Sequence, residues 1–168
     1  MESRKTFIPK HLIPAKRAFT LIEVMVVIGL FFIVGGLGLL ISMDSYRSSS
    51  FYADRNLLVA TLQRARAEAI HNVCLGTCTG INNDGKAHGV HILSDKYVIF
   101  QGTAYSSSDP LNAEFSANPG FVHGGLTDVL FTQLSGTTTN TGDIVLSDKA
   151  GHVSTTTIGS EGQISWTH

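Results

Sequence analysis

From residue 19 to residue 41 the chain runs for 23 residues with only two polar side chains, Thr20 and Glu23. At about 1.5 Å per residue this makes a helix of roughly 35 Å, enough to cross a bilayer core. Five cations precede it (Arg4, Lys5, Lys10, Lys16 and Arg17) against one anion, Glu2. That bias predicts residues 1–17 in the cytoplasm and the C-terminal body across the membrane. Hydropathy alone fits a simple signal anchor. A secretory signal peptide has a shorter apolar stretch, about 7–15 residues, and Ile41-Ser42-Met43 makes a poor cleavage site.

Glu23 asks for a further explanation. An ionisable residue inside a membrane span is rare and pairs with something. The apolar run contains no cation, and Arg17 lies nearly two turns upstream. A cut between Ala18 and Phe19 creates an α-amino group one helical turn before Glu23. That amine, on the same chain or on a neighbour, is the natural partner.

A basic leader, a small residue and then FTLIEVMVVIGL together resemble the class III signal of type IV pilins and type II secretion pseudopilins. The resemblance implies that prepilin peptidase cuts between Ala18 and Phe19 and that Phe19 becomes the N-methylated terminus. It also implies that Glu23 is the carboxylate that pairs with a neighbouring subunit's terminus during filament assembly. Two positions depart from the pattern. Ala18 stands where Gly is usual, and the run lacks the common helix-breaking Pro. Gly35, Gly36 and Gly38 either weaken the helix there, at roughly 1 kcal/mol each relative to Ala, or let helices approach closely in lipid.

After a polar stretch at 42–50, helical periodicity resumes. Leu58, Leu62, Ala65, Ala69 and Val73 define one apolar stripe, while Arg55, Gln63 and Arg66 fall largely away from it. The reading is one long helix whose second half packs on a sheet. The segment LQRARAEAIHN is similar to the end of the helix in the general-secretion-pathway H and FimT group of minor pilins. Arg66, Glu68, Ala69 and Asn72 carry that likeness. Alanine packing, with Arg66 and Glu68 solvated, explains the same residues without a site.

Beyond residue 73 the texture becomes β-like. HGVHIL (88–93) and KYVIFQG (96–102) predict a hairpin across Ser94-Asp95. Further short strands are expected at 129–136, 143–148, 152–158 and 162–166, with Gly-containing turns at Asp84-Gly85, Ala150-Gly151 and Glu161-Gly162. The stretch 103–125 reads as a long irregular surface loop, and Trp166 as a residue closing the core on the sheet. The fold class expected is α+β and pilin-like. Four segments compose it: a cleaved leader at 1–18, a membrane or filament-core helix at 19–42, an amphipathic helix at 43–73 and a β-rich domain at 74–168.

Chemistry is sparse. Cys74 and Cys78, spaced C-x3-C where the helix should end, fit a local disulfide, two reduced thiols or half of a metal site. No second cysteine pair exists to complete a zinc site, and no metal or other cofactor is expected. His88 and His91, three apart in a strand, point to opposite faces. Asn82-Asn83-Asp84-Gly85 reads as a hairpin-type turn rather than a calcium loop. No nucleophile elbow, P-loop or dinucleotide fingerprint appears, so an enzyme is not expected.

The functional expectation is therefore a minor pilin or pseudopilin, a structural subunit of a type II secretion-type filament. Its partners are other pilin subunits, prepilin peptidase and membrane lipid. It is expected as a single-pass inner-membrane protein whose body lies outside the cytoplasm. The alternative is a minor pilin of a type IV pilus for DNA uptake or adhesion, and a membrane-anchored β domain without a filament is the third reading. Residues 19–168 hold 7 Lys/Arg against 12 Asp/Glu, a poor balance for phosphate binding. Besides Arg66, the body from the helix end onward offers only Lys86, Lys96 and Lys149. Nucleic acid is not expected as a partner of this subunit alone.

Overall fold

A computed structural model describes residues 19–76 and 85–167. The chain divides into two compact units, Met1–Met43 and Asp44–His168. Helix α1 spans Leu21–Ile70 and contributes to both. In the first unit its described side chains, Leu21 to Leu37, are exposed on every face, as an all-round apolar sequence requires when nothing covers it.

In the second unit the helix behaves differently. Phe51, Leu58, Leu62, Ala65 and Ala69 are fully buried, and the last four belong to one core cluster with Val90, Ile99, Phe131 and Ile158. The last four are the stripe expected from the spacing, but Val73, its expected fifth member, lies beyond the helix end and is only half-buried. The helix ends at Ile70, three residues short of the expected boundary, for a local reason. Asn72 adopts φ 53, its N–H donates to the Ala69 carbonyl at 3.2 Å, and the Val73 N–H donates to Glu68 at 2.9 Å. That is a Schellman cap, in which a left-handed residue lets orphan helix carbonyls find donors.

Eight strands follow: β1 (His88–Ile92), β2 (Lys96–Gln101), β3 (Ala113–Ser116), β4 (Val122–Gly125), β5 (Asp128–Phe131), β6 (Gly142–Ser147), β7 (Val153–Ile158) and β8 (Ile164–Thr167). They form two four-stranded antiparallel sheets, ordered β3-β2-β1-β5 and β4-β6-β7-β8. The expected hairpin is β1–β2, in register from His88↔Gln101 to Ile92↔Tyr97. The protein is thus α+β, an N-terminal helix with antiparallel sheets, consistent with a pilin-like fold.

Several expectations need correction. The stretch 103–125 is not all irregular, because β3 and β4 lie in it. β3 alternates over only four residues, with Ala113 and Phe115 half-buried and Glu114 and Ser116 exposed, and β4 ends in two glycines. Gly125 has φ +85, and a Cβ there would collide with the Asp143 carbonyl oxygen. Trp166 does not close the core: it is 44% exposed, on the edge strand β8 opposite Thr156. The Ile158↔Ile164 pair does that work. Arg55 is buried, at 8% exposure, with its guanidinium 5.1 Å from the Tyr52 ring and bonded to Asn56 Oδ1 at 2.9 Å.

Candidate functional site

Thr20 caps the start of α1 within a T-x-x-E sequence, a pattern the sequence reading overlooked. The Glu23 N–H lies 3.3 Å from Thr20 Oγ1 and 3.1 Å from the Thr20 carbonyl. A carboxylate in the first turn also interacts favourably with the helix dipole. The helix start thus fixes Glu23 one turn after Phe19, which is 78% exposed. Ala18 and the rest of the leader lie outside the described residues.

Around that turn, Leu21, Ile22, Met25, Phe31, Phe32 and Ile33 are each more than 60% exposed. Contiguous apolar surface of this kind marks contact with lipid or protein. Among the described residues no helix is long and apolar enough to cross a membrane. The expected span at 19–42 includes side chains at 38–42 that lie outside them.

At the end of α1, the residues that carried the second likeness are committed to the body. Arg66 donates through Nη2 to the Glu161 carbonyl at 2.9 Å and through Nε to Gly136 at 3.3 Å, so it is not simply solvated. Glu68 accepts from Arg64 at 2.8 Å, and Asn72 Oδ1 accepts from Gln133 at 2.5 Å. Ala69 is core. Cys74 carries no free thiol, and Cys78 lies outside the described residues. Asn82, Asn83 and Asp84 of the expected turn lie outside them too.

Four of the histidines pair with carboxylates, a pattern invisible in the sequence because each pair joins distant segments or a tight turn. Tyr97 Oη donates to Asp54 Oδ2 at 2.9 Å, and His123 Nε2 lies 2.8 Å from Tyr97 Oη. Since Tyr97 directs its phenolic proton to Asp54, His123 donates from Nε2 to Tyr97 Oη, and its buried Nδ1 has no hydrogen-bond partner among the described residues. Burial, then the Asp54 charge and hydrogen bond, push the Tyr97 phenol well above its ordinary value. Burial lowers His123, against the opposing pull of Asp54. This network joins the helix to one strand of each sheet.

His88 is fully buried and donates from Nδ1 to the Lys86 carbonyl at 3.1 Å, while its Nε2 sits 4.0 Å from Glu68. Burial holds its pKa down more than Glu68 and the Lys86 carbonyl raise it. His91 contacts Asp128 at 2.7 Å and stacks on Tyr105 with ring centres 4.0 Å apart. His152 binds Asp148 at 2.7 Å, and that hydrogen bond keeps the Asp148 carboxyl below its usual range. Among the described residues no group of three or more His, Cys, Asp or Glu is placed to hold a metal ion. These pairs read as internal fastenings.

Comparison with known families agrees with the helix start. Residues 13–42 match the model of the prokaryotic N-terminal methylation motif, which is less than a fifth of the 168-residue chain. The match supports the pilin-type superfamily and indicates a type IV pilin-like protein or pseudopilin processed by prepilin peptidase. It points to a structural subunit, anchored in a membrane and assembled with other pilin subunits into an extracytoplasmic filament. No curated protein and no solved structure matches the chain.

Proposed function

We propose that this protein is a minor pseudopilin of a type II secretion-type filament, of the general-secretion-pathway H and FimT kind. Prepilin peptidase cuts between Ala18 and Phe19, and Phe19 becomes the methylated terminus. Residues 19–42 lie first in the inner membrane as a single span and then in the filament core. Residues 43–73 and 74–168 form the body outside the cytoplasm, with Cys74 and Cys78 paired as a disulfide. The protein works by assembly: apolar packing supplies lateral contact, and Glu23 sets register by pairing with a neighbour's amine. A charge pair in an apolar setting specifies register even when it adds little net stability.

The observation that supports this most is the placement of Glu23 in the capped first turn, one turn after Phe19, amid exposed apolar side chains within the methylation motif. DNA capture finds less support, because Arg66 is already held by two carbonyl oxygens. The test is incorporation into sheared filaments in cells carrying a complete assembly system, comparing Glu23→Gln and Glu23→Leu with the wild type. Gln keeps the Thr20 cap and the T-x-x-E/Q pattern but not the charge. Both variants are expected to be processed and to lose incorporation. Wild-type incorporation of Glu23→Gln would show that the residue serves the helix cap alone and overturn the pairing.

A further inference from the structure

The cations of the body are unevenly employed. Arg64 pairs with Glu68, Lys96 with Glu114 at 2.7 Å, Arg66 holds two carbonyls, and Arg55 is buried against Tyr52. Arg47 and Lys149 have no ion pair or hydrogen bond among the described residues, although they belong to a body in which acids outnumber bases. Both line one cleft of about 340 Å³. Its walls also include the rings of Tyr46 and Phe121 and the side chains of Ser50 and Asn118. The one carboxylate in the lining, Asp148, accepts from His152 Nδ1 at 2.7 Å and from the Ala150 and His152 N–H groups at 2.9 Å each. Its hydrogen bonds are made within its own loop, so it remains an anion of the lining without an ion pair to either cation among the described residues.

The location in the sequence adds a second constraint. Tyr46 is 75% exposed and follows the last residue of the apolar run by five positions, with Arg47 next to it. Tyrosine is enriched where a span leaves the hydrocarbon, because its ring is amphipathic, and cations near a membrane surface attract anionic headgroups. A cleft with two cations that lack ion pairs among the described residues, one carboxylate and two aromatic residues suits a phosphate attached to an apolar tail better than a free anion.

We propose that this cleft binds the phosphate of an anionic membrane phospholipid, with Arg47 and Lys149 as the binding cations and Tyr46 against the glycerol and upper acyl region. The proposal rests on the membrane-inserted reading of residues 19–42.

The test uses the full chain placed in nanodiscs containing both phosphatidylglycerol and phosphatidylcholine, then released into detergent for native mass spectrometry. The wild type is expected to retain phosphatidylglycerol at least fivefold over phosphatidylcholine. Arg47→Gln/Lys149→Gln is expected to abolish that preference with an unchanged melting temperature, while Arg47→Lys/Lys149→Arg keeps it. Equal retention of the two lipids, or a preference that survives the double Gln variant, overturns the proposal. Displacement of the lipid by millimolar inorganic phosphate assigns the cleft to free phosphate and overturns the lipid assignment. A chain that fails to enter nanodiscs at all sinks the membrane reading itself, a result distinct from entry without lipid preference.

Discussion

Two stretches of α1 have opposite fates. Residues 21–37 expose their apolar side chains, whereas Phe51, Leu58, Leu62, Ala65 and Ala69 bury theirs. The difference lies in arrangement as well as amount, since 21–37 carries one charged residue and 51–69 five. The second set recurs on one face, so two sheets of the same chain can cover it. The first set covers the whole circumference, and lipid or several neighbouring helices must surround it. One part of the chain therefore encodes its own fold, and the other encodes its surroundings.

The comparison predicts separable effects of mutation. Phe131→Ala, in the body's core, is expected to destabilise it by about 3–5 kcal/mol, read by denaturant unfolding with circular dichroism. Ile28→Ala in the exposed run should leave that midpoint unchanged. A body midpoint that shifts with Ile28 would break the division between the two regions. Tyr97→Phe comes next, at roughly 1–3 kcal/mol, because it removes the hydroxyl that joins Asp54 to His123 and leaves buried polar groups without partners.

Acid should weaken the body and spare the first region, which contains no histidine among its described residues. His88 and His123 bind a proton less readily when folded than their ordinary value of 6.5 implies. The unfolded chain therefore takes up more protons as the pH falls below 6.5. Their contribution is fully present above that pH and is lost as the pH falls towards the lowered folded-state values. The denaturation midpoint should drop between pH 7 and pH 5, and His88→Asn with His123→Gln should flatten the slope. A slope unaffected by these changes would assign the acid sensitivity to other groups. The smallest expected effect is Trp166→Ser, at about 0.5 kcal/mol or less, since the ring is largely outside the core. A larger loss would return Trp166 to the role its sequence position first suggested.

Legibility in the sequence followed the same division. The helix stripe and the β1–β2 hairpin were readable because periodic burial writes itself into residue spacing. β3 and β4 were not, since the alternation of β3 lasts only four residues and the Gly124-Gly125 pair gives backbone pairing without it. Trp166 misled because size argues for burial, whereas position on an edge strand decided otherwise. At the N-terminus, spacing alone related Phe19 to Glu23, and the T-x-x-E cap was present in the sequence but unread. The Asp54–Tyr97–His123 network was beyond reach, because only the tertiary fold brings together residues 26 to 69 positions apart in the sequence.

The most direct test of the central claim is the intact mass and N-terminal sequence of the protein extracted from membranes after expression with its prepilin peptidase. The account predicts a chain that begins at N-methylated Phe19, carrying the amine that Glu23 is proposed to engage in a neighbour. A chain that retains residues 1–18 would contradict it, leaving Glu23 as a helix-capping residue on a domain that joins no filament.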